Sequence, residues 1–222
     1  MKKTDWEILG SSPLFDGVDE TDLPALLGCL SARRAKIPAG GDVLRAGDPA
    51  GRVGLVLTGQ VQVIQDDFYG NRSIVASVGP GQLFGEAFAC AGAAALPVGA
   101  VAAGDSEILW IDYRKILSTC EKRCAFHHRL IYNMLRVLAG KNMQLSRKVE
   151  LLSKRTTREK LLCYLDGEAR RAGSRSFSIP FSRQELADFL SVDRSAMCHE
   201  LSKLRREGRI DFQKNRFTLP LG

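Results

Sequence analysis

Five residues toward the C-terminal end, Arg194, Ser195, Cys198, His199 and Ser202, recur at three- and four-residue spacings, so on a helix they share one face. Each carries a group that can donate or accept a hydrogen bond. An array of that kind suits the edges of nucleic-acid bases, and a guanidinium such as that of Arg194 can bond guanine O6 and N7 at once. Base reading needs the N-terminal half of a helix held in a major groove, and the flanking residues supply the holder. Ser182 is followed three residues later by Glu185, a capping box, and Asp193 opens a second helix that Gly208 can close. Leu186, Ala187 and Leu190 share a face of the first helix, and Ala196, Met197, Leu201 and Leu204 a face of the second, with Ser191-Val192 as the joint. Beyond them Ile210 and Phe212 alternate with Asp211 and Gln213, Lys214-Asn215 makes a turn, and Phe217 and Leu219 alternate back as a basic-tipped β-wing. This is the pattern of a winged helix-turn-helix, whose expected partner is double-stranded DNA.

Charge is distributed to match. Residues 1–125 hold 12 Lys and Arg against 15 Asp and Glu, and residues 126–222 hold 20 against 10, so the whole +7 excess comes from the C-terminal part. A basic footprint on the same segment as the helix-turn-helix predicts binding that weakens steeply with salt. No apolar run approaches a membrane span or a signal sequence, which predicts a soluble, cytoplasmic chain with no membrane partner. The six cysteines, at 29, 90, 120, 124, 163 and 198, are expected as reduced thiols. Cys120 and Cys124 stand one helical turn apart, and a thiol switch there stays open. Residues 1–126 contain no histidine, which excludes the histidine-rich metal site of a jelly-roll enzyme; neither catalytic nor metal-ligating residues are assigned.

The segment from about Leu30 to Ile111 is built of short alternating runs punctuated by glycine. Residues 42–44, 53–57, 60–64, 73–76 and 107–111 read as strands, separated by turns such as Gly40-Gly41, Thr58-Gly59 and Gly79-Pro80-Gly81. Many short strands at regular spacing predict a closed β-roll. Its most ligand-like stretch is Gly79 to Glu86, where glycines let backbone approach a ligand and Glu86 offers an acceptor for hydroxyls. A long helix follows from about Cys124 to Ser153. Leu135, Asn142 and Val149 fall at a positions, and Ile131, Leu138, Leu145 and Leu152 at d positions, of a short coiled-coil seam. Asn142 at an a position pairs best with its own copy, which predicts a two-fold dimer and an inverted-repeat operator. The alternative is a helix packed on its own roll.

Taken from about Leu9 to Leu219, the chain resembles the cyclic-AMP receptor protein and fumarate-nitrate reduction regulator (Crp/Fnr) family. The shared order is a β-roll with Phe84-Gly85-Glu86, a dimerisation helix and a winged helix-turn-helix. The resemblance implies an α+β fold with a cyclic-nucleotide-binding-like roll (a double-stranded β-helix) over residues 1–123, a dimerisation helix over 124–153 and the DNA-binding domain over 154–222. It implies a bacterial homodimeric transcription regulator, not an enzyme, that meets RNA polymerase if it activates. Residues matching Arg194, Ser195, Cys198 and His199 would face bases, and those matching Ser182, Arg183 and Gln184 would lie near phosphates. A small-molecule effector would sit near Phe84, Gly85, Glu86, Ala87, Leu96 and Pro97.

This sequence also departs from the family. Cyclic-AMP-binding members place an arginine and a serine where Leu96 and Pro97 stand here, and an anionic phosphodiester without a cation would be desolvated and unpaired. Cyclic AMP is therefore disfavoured. An iron-sulfur cluster is disfavoured too, because Cys29 is the one cysteine before Cys90. Haem would have Cys90 as its soft ligand in the roll, with His127 and His128 at the long helix instead. The effector stays unknown, with an apolar or aromatic molecule near Cys90 and Leu96 consistent with the lining. Two further readings stay open: a thiol- or haem-dependent sensor of the same architecture, and an effector-binding module that docks proteins without binding DNA.

Overall fold

The computed structural model describes residues 3–66, 68–69, 72–117 and 126–220. The Cys120/Cys124 pair, the expected helix start at Cys124 and the His127 side chain lie outside the described residues. The chain divides into two compact units, Met1–Asn71 with Val75–Asn142, and Arg72–Ile74 with Met143–Gly222.

The first unit opens with helices α1 (Lys3–Ser11) and α2 (Leu23–Cys29), then strands β1 (Arg33–Ile37), β2 (Asp42–Leu44), β3 (Arg52–Thr58), β4 (Val61–Asp66), β5 (Arg72–Val78) and β6 (Leu83–Phe84). Helix α3 (Glu86–Cys90), strands β7 (Gly99–Ala102) and β8 (Ser106–Asp112), helix α4 (Tyr113–Leu117) and the long helix α5 (Phe126–Leu152) follow. The strands form two four-stranded sheets, β1-β8-β3-β6 and β2-β7-β4-β5, which make the roll. The five strands read from alternation are present, and β1, β6 and β7 join them.

Alternation along β3 divides the apolar residues between two clusters. Val53, Leu55 and Leu57 face outward with Leu109 and Ile111 of β8, and pack with Leu9, Leu23 and Leu27 and with Leu130 and Met134 of α5. Val56 faces inward with Ile108, Phe84, Val61 and Ala100, and Trp110 packs against that inner cluster. Gly54 lies opposite both Phe84 and Trp110. Lacking a side chain, it leaves room for the Phe84 ring, which meets Trp110 edge-on with centroids 5.4 Å apart.

Both expected partners of α5 have a physical basis in its two faces. Asn133 is buried and its Nδ2 donates to the carbonyls of Leu14 and Asp16 at 3.0 and 2.9 Å, beside buried Leu130 and Met134. Leu138 is half-buried against the same outer cluster, so this d position serves the helix's own unit. Ile131 and Leu152 are half-buried as well, whereas Leu135, Asn142, Leu145 and Val149 are exposed.

In the second unit, the end of α5 leads to α6 (Thr157–Ala172), β9 (Ser176–Ser178), α7 (Arg183–Leu190), α8 (Arg194–Arg206), β10 (Asp211–Gln213) and β11 (Arg216–Thr218). Capping boxes Thr156/Glu159 and Ser182/Glu185 start α6 and α7, and the Asp193 side chain accepts from Ala196 N–H to start α8. The three strands form one sheet in the order β10-β11-β9. Leu186, Leu190, Met197, Leu201, Leu204 and Phe217 are all at most 1% exposed and form the buried apolar interior of this unit. Ala196, expected on that packing face, is exposed: it lies in the first turn of α8, one residue ahead of the buried Met197. Among the described residues no helix is long and apolar enough to cross a membrane.

Filling Gly54 tests the packing inside the roll. A Cβ there would overlap the Phe84 ring, so Gly54→Ala is expected to lower unfolding free energy by about 1–3 kcal/mol, read by denaturant titration.

Candidate nucleic-acid interface and roll cavity

The exposed face of α8 carries Arg194, Ser195, His199 and Ser202, with Cys198 half-buried between them. Arg194 has no ion-pair partner among the described residues and projects from the first helical position. A cation there opposes the positive end of the helix dipole. Ser195 Oγ donates to Asp193 Oδ1 at 2.5 Å, and Ser202 Oγ donates to the Cys198 carbonyl at 3.0 Å. Both hydroxyl protons are thereby engaged, leaving oxygen lone pairs outward. His199 is exposed on the next turn.

The three residues expected near phosphates divide into different roles. Ser182 caps α7, accepting from Glu185 N–H at 3.3 Å while its own N–H donates to Glu185 Oε2 at 2.7 Å. Gln184 is exposed and its Nε2 donates to Asp188 Oδ1 at 2.8 Å. Arg183 is half-buried: its guanidinium donates to the Lys214 carbonyl at 2.7 Å and lies 5.0 Å from the centroids of both Phe212 and Phe217. Burial pulls its pKa down. Arg183 therefore ties the wing turn to α7, a packing role the sequence did not reveal.

Other basic residues of this unit are also internally engaged. Arg158 pairs with Glu200 and Glu207, and Arg205 with Asp211. Lys203, Arg206, Arg209, Lys214 and Arg216 are exposed around the helix end and wing, and of these Lys214 alone stands out in the sequence, at the basic tip of the wing. The wing turn is sharp enough that Lys214 takes φ +52°.

Two lysines hold the carboxyl end of α7, where carbonyls lack helical partners. Lys160 Nζ lies 3.1 Å from the Leu190 carbonyl and 3.4 Å from that of Ser191. Lys148 Nζ donates to the Phe189 carbonyl at 2.5 Å and lies 3.1 Å from the Phe189 ring centroid. Burial, and then the Lys160 charge, pull the Lys148 pKa down to about 7.

In the roll, Glu86 is 2% exposed at the start of α3 and its Oε1 is 2.7 Å from Lys141 Nζ of α5. Lys141 also donates to the Leu83 carbonyl at 2.5 Å. The acceptor reserved in the sequence for an effector hydroxyl is thus engaged by the chain's own lysine, while Glu86 Oε2 is buried without a hydrogen-bond partner. Gly85 takes φ +79°, and a Cβ there would crowd the Arg52 carbonyl at 3.1 Å. Phe84 belongs to the inner core, and Ala87 and Pro97 are exposed. Cys90 is half-buried, and burial, then the Glu86 carboxylate, push its thiol pKa up, which disfavours the reactive thiolate.

Of the six residues expected to meet an effector, Leu96 lines a cavity. That space, about 380 Å³, is also bounded by Val43, Leu44, Asp48, Arg52 and Trp110. A second space of about 550 Å³ shares Pro49, Arg52 and Trp110 with it and adds Arg33, Asp112 and Arg114. Among the described residues no three His, Cys, Asp or Glu side chains are grouped to hold a metal ion.

Solved structures with this architecture include the global regulator CLP of Xanthomonas campestris, described as c-di-GMP responsive. It is 20% identical, covering 92% of this chain and 100% of that one, with a TM-score of 0.75. FixK2 from Bradyrhizobium japonicum is 22% identical over 86% of this chain and 93% of its own, with a TM-score of 0.69. The catabolite activator protein of Thermus thermophilus is 24% identical over 94% of each chain, with a TM-score of 0.53. At these identities the likeness establishes the fold. No curated protein matches significantly. The family models decide the rest: residues 34–123 match the cyclic nucleotide-binding domain and residues 159–220 the Crp-like helix-turn-helix domain.

The chain belongs to the Crp/Fnr family.

It has the architecture of a Crp/Fnr-type DNA-binding transcription regulator, and Crp/Fnr regulators are not enzymes. Within this Crp/Fnr chain, Lys148 gives a pH test. Between about pH 7 and the usual lysine pKa near 10.4 the unfolded chain holds a proton that the folded Lys148 does not, so stability rises with pH across that window. Thermal midpoints measured from pH 6.5 to 10 are expected to show this rise, and Lys148→Met to reduce its slope.

Proposed function

We propose that the chain acts as a homodimeric transcription regulator that binds an inverted-repeat operator, with a small effector in the roll biasing the spacing of the two DNA-binding units. The observation that carries this reading is the stripe left in water on α5: Leu135 and Val149 are each 61% exposed and Leu145 56% exposed, with Asn142 between them. An exposed apolar stripe of this length, on a helix whose earlier turns are anchored by the buried Leu130, Asn133 and Met134, calls for a partner, and the heptad register makes a second copy the fitting one. Two-fold symmetry then sets two copies of α8 on successive turns of one duplex face.

In each half-site Arg194, Ser195, Cys198, His199 and Ser202 face base edges, and Ser182 and Gln184 lie beside phosphates. Arg183 acts indirectly, by holding the wing whose tip carries Lys214 and Arg216. An effector distinct from cyclic AMP fits the loss of a cation at Leu96. Work in the cytoplasm, and contact with RNA polymerase should the output be activation, complete the reading.

Footprinting on genomic fragments with an excess of random competitor is expected to reveal one protected palindrome; uniform retention of all fragments, or none, overturns the proposal. The double variant Leu135→Asp, Val149→Asp is expected to be monomeric by light scattering and to lose operator affinity at least about 100-fold, while its circular dichroism stays native. Arg194→Ala should cost on the order of 1–3 kcal/mol at the operator. An equal loss on random DNA would mark Arg194 as a phosphate contact.

A further inference from the structure

We propose that the open end of the roll is an anion site that holds a small, flat organic dianion, an aryl phosphate or aromatic dicarboxylate, between Arg33, Arg52 and Arg114 and against Trp110. The sheet register sets the arrangement. Trp110 on the interior strand β8 lies directly opposite Arg33 of β1 on one side and Gly54 of β3 on the other, and Arg52 lies opposite Asp112 two residues on. Directly opposed residues of an antiparallel pair point to one face, with Cβ atoms roughly 5 Å apart. The Phe84–Trp110 ring contact identifies that face as the inner one. Two guanidiniums therefore flank one indole at the mouth of the roll, and Arg114 at the start of α4 borders the same space.

These arginines differ from others of the unit. Arg34 pairs with Asp5 and Glu107, Arg45 with Asp42, and Arg136 with Asp16. Among the described residues Arg33, Arg52 and Arg114 have no ion pair, and the one carboxylate in their cavity, Asp112, accepts the Arg114 backbone N–H at 3.0 Å. Three like charges around one concavity leave a net positive field that an anion relieves, and guanidinium forks match carboxylate and phosphate bidentately. The adjoining space is lined by Val43, Leu44, Leu96 and Trp110, which suit a flat hydrocarbon body, and by Arg52 and Asp48, whose carboxylate accepts the Arg45 backbone N–H at 3.1 Å. Its volume of about 380 Å³ fits a one- or two-ring molecule. With Lys141 spent on Glu86 and no cation at position 96, the cations of the roll that have no ion pair among the described residues include Arg33, Arg52 and Arg114 at the strand ends. The regulatory consequence rests on the operator-binding reading, whereas the binding itself does not.

Calorimetry on the full chain with phenyl phosphate, phthalate, inorganic phosphate and benzyl alcohol tests the site, alongside Trp fluorescence. Saturable binding is expected for phenyl phosphate or phthalate, the tighter naming the head group. Inorganic phosphate should bind at least ten-fold more weakly, and benzyl alcohol not at all. Arg52→Gln and Arg33→Gln should each weaken binding ten-fold or more with thermal midpoints unchanged, while Lys36→Gln, exposed beside Glu107, changes nothing. No saturable binding by either aryl dianion, or affinity indifferent to both arginine changes, overturns the site. Inorganic phosphate binding as tightly as the aryl dianions overturns the flat-body assignment. Binding with unchanged operator affinity upholds the site and sinks its regulatory role; operator protection by a protein that binds no aryl dianion sinks the site alone.

Discussion

The buried pair of Glu86 and Lys141 is the constraint on which the first unit depends. A carboxylate 2% exposed at the start of α3 has one oxygen on an ammonium of α5 and the other without a partner. Taking such charges out of water is costly, and it is tolerated because the ammonium also reaches the Leu83 carbonyl. Removing Lys141 would leave the Glu86 carboxylate buried and uncompensated, the costly case, whereas the partly exposed Lys141 could turn to water if Glu86 were removed. The β6–α3 corner and the middle of α5 are therefore held together by electrostatics, while Leu130 and Met134 hold the earlier turns of the helix by burial.

That pairing also changes which charges of the roll remain open to a ligand. In the sequence, Glu86 stands out as a free acceptor beside a glycine turn. In the folded chain it is a structural anchor, and Arg33, Arg52 and Arg114, at the starts of β1 and β3 and in α4, have no ion pair among the described residues. The inner face has a polar mouth and an apolar interior, with Trp110 bridging the two.

Features that depend on neighbours in sequence were legible in advance. The Ser182/Glu185 box, the Asp193 cap, the Lys214-Asn215 turn and the five alternating strands all reduce to spacing over a few residues, and each is present. Features that depend on neighbours in space were not. Strand β1, Arg-Arg-Ala-Lys-Ile, reads as a charged loop because Arg34 finds Asp5 and Glu107 only after folding. Strand β7 is Gly-Ala-Val-Ala, too small in side chain to announce itself. Helix α6 was passed over despite its own Thr156/Glu159 box, a signal that could have found it. The family resemblance sets Arg183 near phosphates, and nothing local in the sequence hints that its guanidinium lies 5.0 Å from the ring centroids of two phenylalanines of the wing. Likewise, heptad spacing marks Leu138 for a seam but cannot tell that the helix spends this residue on its own unit.

Arg194 sits at the first position of α8, at the positive end of the helix dipole, where the Asp193 carboxylate that accepts the Ala196 N–H offsets part of the repulsion. An acidic residue there would make the unliganded domain more robust by a few tenths of a kcal/mol to about 1 kcal/mol. The chain therefore carries a small unfavourable charge placement at the start of α8, which an approaching negatively charged surface relieves. A screen for thermostable variants would gain by removing this charge, and under the proposed base-reading role of Arg194 each such gain would weaken target recognition.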